Sequence, residues 1–366
     1  MIKYLGSKRK LVPVLAALAE ATAARRALDL FSGTSRVGMA WKAGGVHVTA
    51  VDTTRTAEVL ARCYIGTDAD AIDGAALAAA VADLDTLPGR PGYVTEVFCA
   101  KARYFQPENG ARIDAIRAAI AERWAGTPFE PVLLTALIEA ADRVDSTTGV
   151  QMAYLKSWAP RAHNRLTLRV PELLPGPGAV VRGDAVTLVS SAALGGDGFD
   201  VAYLDPPYNQ HSFRANYHVW ETIVAGDEPE HYGVACKRID TRAPEHASAF
   251  NRRAAIGPAL AALLHDVDAR VVALSYNDEA WVGLETLVEL CADGGRRHVE
   301  VAAFDAPRYV GSRIGIHNPS GDKVGQVGRT RNVEYLLVAS DDRESAITAA
   351  TAARSATPLG GITIVR

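Results

Sequence analysis

AARRALDLFSGTSRVGMAWKAGG, residues 23–45, runs directly into VHVTAVD, residues 46–52. The first stretch reads as a short apolar strand, a glycine turn and the opening of a helix. The second reads as another strand, ending in an acid. Strand, helix, strand is a βαβ unit, and such units build an open sheet of parallel strands whose ligands bind beyond the carboxyl ends of the strands. The expected fold is therefore α/β, a doubly wound and mostly parallel sheet. Four acids stand at expected strand ends: Asp29, Asp52, Asp184 in VVRGDAV, and Asp205. Together they predict one crevice.

The glycine loop FSGTSRVG does not have the spacing GxGxxG, and Gly33 and Gly38 are also what a tight turn alone requires. No GxxxxGK[ST] run is present to cradle phosphates. Asp52 follows Asp29 by about the 20 residues at which an acid of a βαβ unit meets a ribose diol, although a solvated strand-end acid reads the same way. A nucleoside without phosphates fits this loop better than NAD or ATP.

Working outward, YLDPPYNQ (203–210) follows the apolar run Phe199, Val201, Ala202, Tyr203, Leu204. Proline gives no N–H to a sheet ladder, and the residue before it is pushed into extended or turn geometry. Asp205, Pro206 and Pro207 thus form a stiff exit from a strand. On it the Asp205 carboxylate and the Pro206 carbonyl both point outward, beside the Tyr208 ring. A simple strand-ending turn is the alternative.

With 366 residues, 48% of them hydrophobic and 22% charged, the chain has the profile of a soluble globular protein with a sizeable core. No apolar run is long enough for a membrane span, and MIKYLGSKRK lacks the apolar stretch of a signal peptide, so a cytoplasmic location is expected. Cys63, Cys99, Cys236 and Cys291 are scattered, which supports neither a disulfide framework nor a metal site. A net charge of -3 excludes a wholly basic nucleic-acid coat but permits a local basic face.

MIKYLGSKRKLV, DLFSGTSRVG, GDA and YLDPPYNQ, in this order, resemble the cofactor and catalytic motifs of Dam-type adenine-N6 DNA methyltransferases, which use S-adenosyl-L-methionine. YFQPENGARIDAIR (104–117), LLTALIEAADRVDSTTGVQMAYLKSW (133–158) and RNVEYLLVA (331–339) extend the likeness to about residue 340. The resemblance implies a Rossmann-like methyltransferase sheet. It places Tyr4 and Lys8 at the methionine end of the cofactor, with Lys8 as the cation for its carboxylate. Asp29, Phe31 and Gly33 would shape the loop under the sulfonium, Asp52 would take the ribose and Asp184 the adenine amino group. Asp205, Pro206, Pro207 and Tyr208 would form the catalytic pocket, with Asp205 also beside the cofactor. Ser35 departs from the pattern, standing where a second glycine is usual, and incurs strain if that residue needs a positive φ.

The implied reaction methylates the N6 amino group of adenine in double-stranded DNA at a specific site. The amino lone pair is delocalised into the ring, and the base lies inside the stack, so it must be flipped out. Acceptors at Asp205 and Pro206 pull the nitrogen towards tetrahedral geometry, and Tyr208 stacks on the base. Near-attack positioning of this kind is worth ~7–11 kcal/mol. Cytosine N4 in DNA and an amino group of ribosomal RNA are alternative acceptors for the same chemistry. A non-catalytic relative that only binds is opposed by the intact Asp205 and Tyr208, and a nicotinamide oxidoreductase by the missing GxGxxG. A restriction endonuclease acting on the same site is the protein partner that the resemblance admits.

Residues 1–67 and 176–340 are read as the catalytic domain and 68–175 as a helical insertion that contributes to target recognition. The tail 341–366 has no assigned role, although GGITIVR looks like a strand. Helical spacing of apolar residues marks ENGARIDAIRAAIAERW and PVLLTALIEAADRV. Lys156, Arg161, His163, Arg165 and Arg169 interleave with Tyr154 and Trp158, which suits phosphate contact or a solvated loop. RYVGSRIGIHNPSGDKVGQVGRTRNVEY (308–335) reads as a β-hairpin turning at Pro319 to Asp322, whose Arg308, Arg313, Lys323, Arg329 and Arg331 suit a DNA-contacting arm. His211 and His218 flank Phe213 and Tyr217 and read as a lid, core or pocket wall without metal spacing.

Overall fold

The computed structural model describes residues 1–3, 6, 8–155, 157–307, 331–359 and 362–365. Its strands are β1 (Arg26–Leu30), β2 (His47–Asp52), β3 (Ala179–Arg182), β4 (Phe199–Leu204), the two-residue β5 (His231–Tyr232) and β6 (Lys237–Arg238), β7 (Ala269–Asn277), β8 (His298–Pro307), β9 (Arg331–Ser340) and β10 (Thr363–Val365). The main sheet has the order β10-β8-β9-β7-β4-β1-β2-β3, and β5 pairs only with β6. β3, β2, β1, β4 and β7 are mutually parallel. Then β9, β8 and β10 add antiparallel neighbours. β1 and β4 are buried along nearly their whole length because both faces of a parallel sheet are covered.

From β1 the chain winds outward to β2 and β3, then returns to lay β4 on the other side of β1. That reversal is the switch point where an open α/β sheet leaves a crevice. The register pairs Leu30 with Leu204. Phe31 and Asp205 are therefore the first residues off two adjacent strands, and the glycine loop and Asp-Pro-Pro-Tyr emerge side by side.

The helices used below are α1 (Val12–Ala21), α2 (Arg36–Ala43), α3 (Arg55–Ala61), α4 (Gly74–Thr86), α5 (Pro107–Trp124), α6 (Phe129–Arg143) and α7 (Ala185–Val189). They continue as α8 (Phe213–Asn216), α9 (His218–Ala225), α10 (Ile256–Asp266), α11 (Leu284–Asp293) and α12 (Arg343–Ser355). One face of the sheet is covered by α1, α2 and α12, which bury Leu15, Trp41 and Ala349 against Val48, Tyr203 and Phe304. The other face is covered by α7, α10 and α11, with Leu260, Leu263 and Leu287 against Leu28, Leu204 and Leu274.

Within 68–175 lie α4, α5 and α6, and they share one core with α3 and α9 through Leu60, Leu84, Phe98, Ile116, Leu133 and Trp220. The tail completes the sheet layers. Ala346, Ala349, Ala350 and Ala353 repeat at helical spacing on the buried side of α12, and the Asp342 carboxylate caps its start by accepting from the Ser345 N–H at 2.8 Å. β10 then pairs with β8. The expected turn at Pro319 to Asp322 lies outside the described residues; the flanking β8 and β9 are antiparallel neighbours. Among the described residues no helix is long and apolar enough to cross a membrane, and no three His, Cys, Asp or Glu are grouped to hold a metal ion. The four cysteines are buried free thiols.

Candidate active site

The loop after β1 is built from left-handed residues: Phe31 at φ 65°, Gly33 at φ 50° and Ser35 at φ 57°. Backbone bonds hold it there, Ser32 N–H to the Val51 carbonyl at 2.9 Å and Ser35 N–H to the Ser32 carbonyl at 2.7 Å. Glycine adopts this conformation freely, but a side chain at such a φ costs about 1–2 kcal/mol. The serine in the place of a glycine is thus strained. Its hydroxyl makes no cap for α2 and is buried without a partner among the described residues. Ser35→Gly is expected to stabilise the fold by up to about 1 kcal/mol, the released strain exceeding the extra unfolded-chain entropy of glycine. Thermal unfolding checks this; a lower midpoint would mean that the serine side chain holds the loop.

Asp52, at the end of β2, is fixed by its own turn. Its Oδ2 accepts from Gly33 N–H at 3.0 Å, and its Oδ1 accepts from the N–H and hydroxyl of Thr54 at 3.0 and 3.1 Å. Burial raises its pKa against these bonds. Asp184, exposed after β3, caps α7 by accepting from Thr187 N–H at 3.1 Å. Both line a cleft of about 700 Å³. That volume is within the usual range of small-molecule sites. Asp29 does not line it. It is only 1% exposed and sits behind the loop, where Oδ2 accepts from Gly38 N–H at 3.1 Å. Burial, with Asp205 and Asp52 nearby, pushes its pKa up to about 7 despite that bond. A Cβ on Gly38 would meet the same oxygen at 3.1 Å, so the glycine allows the approach.

Asp205, Pro206, Pro207 and Tyr208 line the same cleft. Lys8 Nζ lies 2.8 Å from Asp205 Oδ1, with the two side chains 9% and 20% exposed. Burial works against the Lys8 charge, but Asp205 and then Glu334 outweigh it and hold the ammonium well above its usual pKa. Burial raises the Asp205 pKa while Lys8 pulls it down. The Pro206 carbonyl accepts no hydrogen bond from a described residue. The Tyr208 ring is held edge-on by Tyr276 at 5.6 Å, and its carbonyl accepts from Trp281 N–H at 3.4 Å. Phe31 is held edge-on by Phe250 at 5.1 Å.

Several cleft residues escaped the sequence reading: Lys10, Asn277, Glu279, Asn332 and Glu334. Lys10 is a second cation in the wall whose Lys8 is engaged by Asp205. Glu334 faces the centre from β9, opposite Asn277 of β7. Its only local signal is one acid in RNVEYLLVA, and the strand that it would face cannot be read locally.

Among the described residues, most of the other candidates lie outside the cleft lining or already have partners. Arg161 donates to Asp145 Oδ1 at 2.8 Å and to the Thr147 carbonyl at 2.6 Å, and Arg165 donates to the Asp85 carbonyl at 3.3 Å. Arg103 lies over Trp158 at 5.3 Å. His163, Arg169 and Tyr154 are exposed. His218 is buried, its Nε2 3.1 Å from the Gln151 carbonyl, and burial lowers its pKa to about 3. His211 is in the cleft wall. Arg331 pairs with Asp305 at 2.6 Å. Tyr4, Lys156, Arg308, Arg313, Lys323 and Arg329 lie outside the described residues.

Residues 4–288 match the family model described as D12 class N6 adenine-specific DNA methyltransferase. The Type II methyltransferase M.NlaIII of Neisseria lactamica is 30% identical over 305 residues, which cover 79% of this chain and 87% of that protein. The Type II methyltransferase M.FokI of Planomicrobium okeanokoites is 33% identical over 183 residues, 48% of this chain and 27% of that protein. M.CviAII, a Type II methyltransferase of Paramecium bursaria Chlorella virus 1, is 31% identical over 220 residues, 58% of this chain and 63% of that protein.

Proposed function

This chain belongs to the D12 class of N6 adenine-specific DNA methyltransferases, and from that membership we propose that it draws the methyl group from S-adenosyl-L-methionine and acts at a defined sequence in double-stranded DNA. The observation that carries the reading is the register pairing Leu30 with Leu204, which brings Phe31, at the start of the glycine loop, and Asp-Pro-Pro-Tyr into one cleft. The residues of that cleft fit the cofactor. Asp52 retains acceptor capacity for a ribose diol, Asp184 for an adenine amino group, and Lys10 and Lys8 supply positive charge for an α-carboxylate. When bound, the cofactor supplies an electrophilic methyl group on a sulfonium.

The chain's own residues do the rest. Tyr208, braced by Tyr276, offers a ring face to a flipped base. The Pro206 carbonyl and the Asp205 carboxylate accept the two amino hydrogens of adenine, so the nitrogen lone pair turns from the ring towards the methyl group. Lys8 fixes the Asp205 carboxylate for this role. In this reading residues 1–67 and 176–340 catalyse, 68–175 helps to recognise the target, and Arg331 with the cations of 308–329 contacts DNA phosphates. A restriction endonuclease directed at the same sequence is the protein partner that it adds.

The test is the product. DNA treated with the protein and methyl-labelled S-adenosyl-L-methionine, digested to nucleosides, is expected to carry its label in N6-methyladenine, and sequencing should confine it to one short sequence. Label in another nucleoside, or scattered without sequence preference, overturns the proposal.

A further inference from the structure

Lys8 and Asp205 form a contact pair at 2.8 Å, so their formal charges cancel at the place where adenine N6 would sit. That is a poor environment for the reaction. As the N6–methyl bond forms, the carbon–sulfur bond breaks and its electron pair goes to sulfur, so positive charge passes from sulfur to N6 until the nitrogen gives a proton to Asp205. A neutral pair gains little from that shift; an anionic site favours it. Glu334 is the carboxyl placed to supply the missing charge. It lies in β9 opposite Asn277, lines the same cleft as Lys8 and Asp205, and its buried Oε2 has no hydrogen-bond partner among the described residues. Burying such an oxygen is costly unless nearby charge compensates it.

We infer that Glu334 is a positioning residue that leaves the Lys8–Asp205 pair with a net negative charge, and so steers methyl transfer through a cationic N6. The inference rests on the proposed roles of Asp205 and the cofactor. Lys8 responds electrostatically to both carboxylates, and each carboxylate raises its share of the site's proton affinity. Among the described residues, other titratable groups that act on this centre are Asp29 of β1, Tyr203 and Tyr208 from β4 and its exit, and Asp278 and Glu279 after β7. Lys10 is a further cation in the wall of this cleft, and in the proposed reading it faces the α-carboxylate of the cofactor.

Glu334→Gln keeps the size and removes the charge. Single-turnover methyl transfer at saturating S-adenosyl-L-methionine should fall roughly 10- to 100-fold, the effect of one unit charge several ångströms away in a partly buried site, while equilibrium binding of DNA stays within about twofold of wild type. Glu334→Asp should recover most of the rate. Carbon-13 carboxyl titration of the cofactor-free protein adds a reading that needs no turnover. Asp205 should titrate at lower pH in Glu334→Gln than in wild type, because a neighbouring negative charge has gone, and Glu334 in wild type should be ionised at pH 7.5. An unchanged rate, a slower rate with an unmoved Asp205 titration, or a Glu334 that stays protonated at pH 7.5 would each overturn the inference. If Glu334→Gln does not fold, the wild-type titration alone decides. Wild type that makes no N6-methyladenine would sink the proposed function instead, and the titrations would still report on the charge.

Discussion

Asp205→Ala should lower methyl transfer to DNA by at least about 10²-fold, the scale of losing one positioned polar group in an active site. The variant deletes one of two acceptors for the amino hydrogens, and Pro206 alone leaves the nitrogen conjugated with its ring. The fold should survive, because Lys8 keeps the Glu334 carboxylate as a counter-charge. Cofactor binding should change less, since Asp52 and Asp184 approach the cleft from β2 and β3 rather than from the catalytic exit. Rapid-quench turnover with equilibrium dialysis of S-adenosyl-L-methionine separates the two effects. Turnover at the wild-type rate would reduce Asp-Pro-Pro-Tyr to a strand end.

Lys8→Met should be the most destabilising single change at the site. It leaves Asp205 and Glu334 as two buried carboxylates without their cation, and breaking a buried pair in this way typically costs about 3–5 kcal/mol. The sign of the pH dependence follows. Both carboxyls already have raised pKa values through burial, and loss of Lys8 raises them further. A group with a higher pKa in the folded state binds protons more tightly there, so its cost is absent below its unfolded pKa and grows as pH rises through the folded one. The deficit of Lys8→Met should therefore be full at pH 8 and shrink towards pH 4. Urea denaturation at both pH values measures it. An equal deficit at both would mean that lost packing of the lysine stem, and not charge, is responsible.

Much of this arrangement can be read from residues 23–52 and 199–208, because the cues there are local. An apolar run, a glycine turn and a helix start specify βαβ wherever the unit sits, and two prolines end a strand regardless of its neighbours. Helical spacing equally revealed α5 and α6. What escaped depends on partners far along the chain. Glu334 becomes meaningful only once β9 lies antiparallel to β7. Asp29 reads like the other strand-end acids, yet Gly38 lets the helix start close over it and removes it from the cleft. The basic side chains of 161–169 read as free cations from composition alone. Arg161 is spent on Asp145 because α6 brings that acid beneath it.

The strand order has a consequence for how the protein is made. β9 lies between β7 and β8, and β8 has no other neighbour in the sheet except β10. A growing polypeptide that has emerged as far as β8 holds Lys8, the glycine loop and Asp205, but β7 presents an open edge and β8 has nothing to pair with. Unpaired edges of this kind invite association with other chains. At about 5–20 residues per second the ribosome takes seconds to add β9. During that interval the nascent chain lacks Glu334. Arrival of β9 closes the β7 edge and delivers the acid together, so Glu334 would reach the cleft only on chains whose β7 edge is already covered.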